Sequence, residues 1–210
     1  MSYLSQAPEP QPELTPKRLQ ITQAAERLFL AYGYGAVSMD QVARTAKVSK
    51  ATLYAYFPSK DALFATIVSD KGTDNPLGED LFPSEVTDLR AALEAIGTRM
   101  LRFMLRERTL AIYRIAMAES ARFPELGRAF YENGPVSMTN RFSAWLKLLS
   151  DSNLVTVTDP LMATNQFMAL MRCGVFFRRS LAIGPTETDD EINQTVRSAA
   201  DTWLRAYARP

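Results

Sequence analysis

The chain has 210 residues with 24 Lys and Arg against 23 Asp and Glu, a formal net charge of +1, 47% hydrophobic residues, one cysteine and no histidine. That is enough apolar material for one large or two small buried cores. The missing histidine and the lone Cys173 exclude Ser-His-Asp and Cys-His nucleophile systems, His- or Cys-built zinc sites and an intramolecular disulfide, and near neutrality excludes attraction of nucleic acid by gross basicity. No metal or other cofactor is expected, and Cys173, set in an apolar stretch, reads as a core residue rather than a redox centre.

At the N-terminus, Pro8, Pro10 and Pro12 alternate with Glu9, Gln11 and Glu13, which predicts a disordered tail over residues 1–14 and no signal peptide. The most membrane-like stretch, Leu161 to Ile183, is interrupted by Asn165, Gln166, Arg172, Arg178 and Arg179, short of the ~18 uncharged apolar residues of a spanning helix. A cytoplasmic protein with no membrane partner is expected.

Apolar residues recur at spacings of three and four throughout, so the fold class is all-α. Thr15-Pro16 predicts a helix start, and Ile21, Ala24, Ala25, Leu28, Phe29 and Tyr32 make its apolar stripe up to Gly33. Ser38 with Gln41 forms a capping box opening a helix to about Ala46, and Ser49 caps another from Lys50 to about Phe57, which Pro58 stops. Ser59 caps a fourth from Lys60. The turn-rich Gly72–Gly78 separates a small domain, 15–72, from a larger one, 73–210. There the expected helices are Ser84–Arg106, Glu107–Ala121, Pro124–Glu132, Pro135–Ser150, Asp159–Ala182 and Asp189–Ala208.

Two short helices joined by a tight turn and leaning on a first helix form a three-helix helix-turn-helix domain, whose second short helix is the one expected in the major groove of double-stranded DNA. From Gln41 to Lys60 the charged residues are Arg44, Lys47, Lys50 and Lys60, with no acid among them. A cation in a helix's first turn opposes the macrodipole by ~0.3–1 kcal/mol, so Lys60 reads as a phosphate ligand. Leu53 and Phe57 face the core, while Tyr56 points outward with Thr52 on a neighbouring stripe. The hydroxyls of Thr52, Tyr54 and Tyr56, with Lys50, suit phosphate or base-edge contacts, and Ala51 a thymine methyl. Plain amphipathic packing of the tyrosines is the alternative.

The run from Ser38 to Leu63, with its Leu53-Tyr54-x-Tyr56-Phe57-x-x-Lys60 core, closely resembles the signature of the tetracycline-repressor (TetR) family over roughly residues 17–66. The resemblance implies a homodimer that changes its grip on operator DNA when a small molecule binds the C-terminal domain, with repression as the usual outcome. By position it implies DNA contacts at Ser38, Lys50, Ala51, Thr52, Tyr54, Tyr56 and Lys60, with Arg44 a weaker candidate. Lys47 stands where the family commonly has glycine, at a cost of ~1 kcal/mol if that residue is left-handed, and could add a phosphate contact. Tyr113–Pro135 resembles the C-terminal domain of the AefR-like branch.

In the larger domain, expected to bind the ligand and dimerise, Phe103, Met104, Tyr113, Met117, Phe130, Met138, Phe142, Trp145, Met168 and Met171 are candidates to line a pocket for a small hydrophobic effector, with Arg114, Glu119 or Asn140 orienting it. Ordinary core packing is the competing reading of each. The homodimer is expected through the last two long helices, Ile192, Val196, Ala199, Ala200, Trp203, Leu204 and Tyr207 forming the interface stripe unless they pack internally. An enzyme would have to use Asp189-Asp190-Glu191, which helix capping explains better, and a non-specific architectural DNA binder would carry its basic residues more broadly.

Overall fold

The computed structural model describes residues 15–70 and 75–209. The expected tail and the first part of the expected Gly72–Gly78 boundary lie outside the described residues. The fold is all-α; among the described residues the only β pairing is an isolated antiparallel bridge between Val155 and Ala208. None of the described helices is long and apolar enough to cross a membrane. By internal packing the chain divides into two units, Met1–Leu63 and Phe64–Pro210, the division falling inside one helix.

In the first unit, helix α1, Pro16–Tyr32, starts where Thr15 accepts from the Arg18 amide at 3.2 Å and ends at Gly33, whose φ of 80° favours glycine. Helices α2, Met39–Thr45, and α3, Lys50–Tyr56, are capped by Ser38 and Ser49. Pro58 follows, and α4, Lys60–Ser69, crosses the unit boundary. Ile21, Ala25 and Phe29 of α1, Val42 of α2, and Leu53 and Phe57 on the third face make one buried core.

The second unit departs from expectation at three places. Helix α5 spans Leu89–Leu105, five residues shorter at its start because Asp88 accepts from the Ala91 amide and so caps it there; residues 75–88 form an irregular strap with a 3-10 turn, Glu79–Leu81. After α6, Glu107–Glu119, Pro135 does not end a helix: α7, Pro124–Tyr131, runs through a π-helical turn, Glu132–Val136, into α8, Ser137–Asp151. The wider turn accommodates the proline ring, and the Asn133 side chain donates to the Ala129 carbonyl at 2.9 Å. The expected helix over 159–182 is two, α9, Pro160–Arg172, and α10, Val175–Ser180, because Gly174 takes a φ of 63°. Cys173 at that break is exposed rather than in the core, its thiol donating to the Leu170 carbonyl.

Helix α11, Asp189–Tyr207, opens with a reciprocal capping box between Thr188 and Glu191. Ile192, Val196, Ala199, Ala200 and Trp203 are all at most 5% exposed within the protomer, so the stripe expected at a dimer interface is internal core. It packs on α5 and α9, and the Trp203 indole donates to the Ala163 carbonyl at 2.9 Å. Around it Leu93, Phe142, Phe167 and Met171 complete one apolar cluster; Leu101, Leu110, Phe176 and Ile192 belong to a second.

Where α5, α9 and α11 meet, a Cβ on Gly97 would stand 2.9 Å from Val196 Cγ1 and 3.1 Å from Met171 Sδ. Gly97→Ala is therefore expected to destabilise the chain by ~1–3 kcal/mol through overpacking, despite alanine's helix advantage of ~1 kcal/mol. A urea titration finding it as stable as the parent would contradict the packing described.

Candidate nucleic-acid interface

The α2–α3 turn is set by a backbone motif. Lys47 adopts a φ of 52°, its amide donating to the Arg44 carbonyl at 3.1 Å and the Val48 amide to that of Ala43 at 3.0 Å, a Schellman arrangement. Ser49 then accepts from the Thr52 amide at 3.0 Å, and its hydroxyl shares a 2.8 Å hydrogen bond with that of Thr52. Gln20 of α1 donates to the Ala46 carbonyl at 2.7 Å, tying the end of α2 to the platform beneath.

With Leu53 and Phe57 turned inward, at 0% and 1% exposure, α3 presents its other side to solvent. Ser38, Arg44, Lys47, Lys50, Ala51 and Tyr54 are exposed, whereas Thr52, Tyr56 and Lys60 are half-buried. Tyr54, not Tyr56, is the more exposed of the two α3 tyrosines. Backbone contacts hold Tyr56 in place: its carbonyl accepts from Arg18, whose guanidinium lies 4.6 Å from the Phe57 ring centroid. Lys50 pairs with Asp40, an acid just outside the basic stretch that the sequence reading did not weigh. Exposed pairs of this kind contribute roughly 0–1 kcal/mol, so a phosphate can compete for the lysine.

Lys60 requires a correction. Its ammonium is not turned to solvent but donates to the carbonyls of Tyr34 at 2.8 Å and Val37 at 2.9 Å, and lies 4.1 Å from the Tyr34 ring centroid. A cation in the first turn of α4 is tolerated because it satisfies the chain entering α2. Tyr34, 1% exposed against Phe29, is the residue the sequence reading missed; its place between Gly33 and Gly35 was the available signal.

Of the pocket candidates in the second unit, Phe142, Trp145, Met168 and Met171 are buried in one apolar cluster, with Phe103, Met104 and Met138 packed against it. Tyr113 and Phe130 meet edge to face at 6.1 Å, and Tyr113 also meets Phe176 at 5.3 Å beside the second cluster. Met117 is 54% exposed and belongs to neither cluster. Arg114 is engaged with the Arg179 and Ser180 carbonyls at the end of α10, and Asn140 is exposed, so neither is placed to orient a buried ligand; Glu119 is half-buried. Two concavities of about 570 and 480 Å³ lie along α11 and at the α9–α10 break, and neither is lined by any of the ten. Asp189, Asp190 and Glu191 occupy the first turn of α11, Asp189 pairing with Arg102 at 2.8 Å and Glu191 with Arg178 at 3.0 Å.

This geometry is that of a helix-turn-helix DNA-binding protein with a separate helical second unit. Residues 21–67 match the profile of bacterial regulatory proteins of the tetR family, and residues 91–209 that of the AefR-like transcriptional repressor C-terminal domain. The chain belongs to the TetR family of DNA-binding transcriptional regulators. It is 34% identical to the flavonoid-responsive regulator FrrA, covering 91% of this chain and 97% of that one with a TM-score of 0.76. A TetR family transcriptional regulator from Pseudomonas syringae pv. tomato str. DC3000 is 27% identical, with 93% and 98% coverage and a TM-score of 0.71. The uncharacterized HTH-type transcriptional regulator YvkB of Bacillus subtilis (strain 168) is 27% identical over 166 residues, 79% of this chain and 84% of that relative.

Lys60→Met keeps the aliphatic stem and removes the donors, taking the ammonium from the Val37 carbonyl and leaving that of Tyr34 to the Val37 amide at 3.3 Å. It is expected to lower stability by ~1–3 kcal/mol. Lys47→Gly, relieving a left-handed non-glycine residue, is expected to raise it by ~1 kcal/mol. Thermal unfolding of both variants checks the pair; unchanged stability of Lys60→Met would remove the clamp.

Proposed function

We propose that the chain is a ligand-controlled repressor. Residues 15–72 form its DNA-binding domain and 73–210 its ligand-binding and dimerisation domain, and it acts in the cytoplasm on operator DNA as a homodimer. The observation that carries this reading is the exposed side of α3, where Lys50, Ala51 and Tyr54 stand outward from a helix fixed beneath by Leu53 and Phe57. Lys50, Ala51 and Thr52 at the N-terminal end of α3 are assigned to base edges; Ser38, Arg44, Lys47, Tyr54, Tyr56 and Lys60 to the backbone, with Lys60 reaching phosphate only if it leaves a carbonyl.

With the apolar stripe of α11 internal, dimerisation falls to the outward faces of α9 and α11. Met162, Gln166 and Ala169 are exposed on the first, and Gln194, Ser198 and Thr202 on the second. Small and polar side chains there allow two copies to approach closely around a two-fold axis. The effector is a small hydrophobic molecule received by the cluster around Phe142, Trp145, Met168 and Met171; the similarity to FrrA, a flavonoid-responsive regulator, supports response to a small molecule. An effector preferring the protomer arrangement with wrongly spaced α3 helices would release DNA by its difference in affinity for the two states.

Sequencing genomic fragments retained by the purified chain, followed by titration against scrambled DNA, tests the regulator reading; equal affinity for both sequences would overturn it. On the recovered operator, Arg44→Ala is expected to reduce the salt slope by ~1 with little change in base preference, whereas Lys50→Ala and Thr52→Ala should alter preference itself. Ala169→Arg is expected to sediment as a monomer and lose operator affinity; a dimeric Ala169→Arg protein would displace the assigned interface.

A further inference from the structure

We propose that the strap, residues 75–88, is an intramolecular plug in the effector site, and that the effector able to displace it is an aromatic anion, a planar ring system bearing a carboxylate or phenolate. This rests on the reading above that the second unit senses a small molecule in its main apolar cluster.

The space such a molecule needs is already filled, and by the strap. Leu77 and Leu81 are 5% and 2% exposed within the cluster that holds Phe142, Trp145, Met168 and Met171. The Phe82 ring lies 5.4 Å from that of Phe142 and 5.8 Å from that of Trp145. An aromatic ring of the effector therefore has a template in the chain itself, since the place of Phe82 already accepts a flat, apolar group between two aromatic side chains.

The strap is held in a way that permits departure. Its carbonyls are met chiefly by side chains from two helices: Arg99 of α5 donates to Pro76 at 2.8 Å, Arg141 of α8 to Leu77 at 2.6 Å and to Gly78 at 2.5 Å, and the Trp145 indole to Pro83 at 2.9 Å. Lifting residues 75–87 breaks these contacts while Asp88 stays as the cap of α5 and the ladders of α5 and α8 remain whole, so the strap's opening free energy lies below that of the helices. A site that is occupied at rest and bared in a minor state is a cryptic pocket, populated by whatever ligand binds the open form better.

The charge of the ligand follows from what the strap leaves behind. Arg99 pairs with Asp80 at 3.0 Å, and that carboxylate, held below its usual range by the Arg99 hydrogen bond, departs with the strap. Arg141 faces carbonyls and the Phe82 ring and forms no ion pair among the described residues; burial pushes its guanidinium below the usual range. An open site thus holds two guanidinium groups whose partners on the strap have gone, Arg141 on the same helix as Phe142 and Trp145. A neutral ring would leave both unmet, whereas an aromatic carboxylate replaces Phe82 with its ring and the strap's carbonyl oxygens with its own, in the paired geometry arginine favours.

The test uses the full chain with 2-naphthoate and its neutral counterpart 2-naphthamide. Wild type is expected to bind the carboxylate in preference to the amide, with amide hydrogen exchange rising in residues 75–88 while α5 and α8 stay protected. Phe82→Ala, lacking the resident ring, is expected to bind 2-naphthoate ~10-fold more tightly; Leu81→Ala serves the same purpose should Phe82→Ala fail to fold. Arg141→Met is expected to abolish the preference for carboxylate over amide. Failure of 2-naphthoate to bind both wild type and the unplugged variant, binding with unchanged exchange in the strap, or equal affinity for the amide would each overturn the proposal. A compound that releases operator while the strap stays protected overturns the plug and upholds effector control; 2-naphthoate opening the strap without altering operator affinity overturns effector control alone.

Discussion

The DNA-facing surface depends on one constraint: α2 and α3, seven residues each, are too short to hold a helical conformation alone. Everything that makes them rigid comes from outside their own ladders. Ser38 and Ser49 supply acceptors for amides that have no partner in the helix, Gln20 closes the end of α2, and Leu53 and Phe57 fix the rotation of α3 about its axis. That rotation decides function, because a helix carrying Leu53 and Phe57 inward carries Ala51 and Ala55 on the opposite side and Tyr54 on its flank, while Lys50 is exposed at its first turn. Lys60 belongs to the same set of restraints: holding the Tyr34 and Val37 carbonyls, it fixes where the chain enters α2.

Much of this was legible in the sequence because it is local. Caps, prolines and glycines act on residues within one turn, and the starts of α1, α2 and α3 stand where Thr15, Ser38 and Ser49 place them. The failures share a different cause. An apolar stripe reports that a helix face is covered, not by what, and so the α11 stripe through Ile192 and Trp203 could not be distinguished from a dimer interface until α5 and α9 were seen to cover it. Pro135 and Gly174 show the same limit for breakers: the first sits in a helix widened to a π turn, whereas the second divides a stretch whose apolar pattern runs on undisturbed. Whether such a residue interrupts a helix depends on partners such as Asn133, which no local pattern announces.

The strap was invisible for a related reason. Nothing in residues 75–88 has helical or strand periodicity, and its Leu77, Leu81 and Phe82 read as isolated apolar residues in a loop. Only the packing shows that they complete the core beside residues assigned to a ligand. Sequence reasoning found seven of the side chains around that cluster, Phe103, Met104, Met138, Phe142, Trp145, Met168 and Met171, but could not say that the chain itself fills the space among them. Met117 and Arg114 failed because membership of a pocket requires a rotation about the helix axis, which α6 sets by burying Leu110, Ile112 and Ala116.

The distribution of arginine explains why total charge was uninformative. With 24 basic and 23 acidic residues the chain looks neutral, yet the two units use their cations differently. In the second, Arg99, Arg108, Arg114, Arg141 and Arg178 each donate to backbone carbonyls, closing irregular segments and helix ends that lack amide partners. A guanidinium suits this work because its planar fork reaches two carbonyls at once and is less strongly hydrated than an ammonium, so a lysine in its place would carry a greater desolvation cost. In the first unit Arg18 and Lys60 do the same, but Arg44, Lys47 and Lys50 are exposed. A near-zero net charge therefore coexists with a local cationic surface, because arginines such as Arg99, Arg108 and Arg178 act as structural hydrogen-bond donors and pair with the carboxylates of Asp80, Asp70 and Glu191.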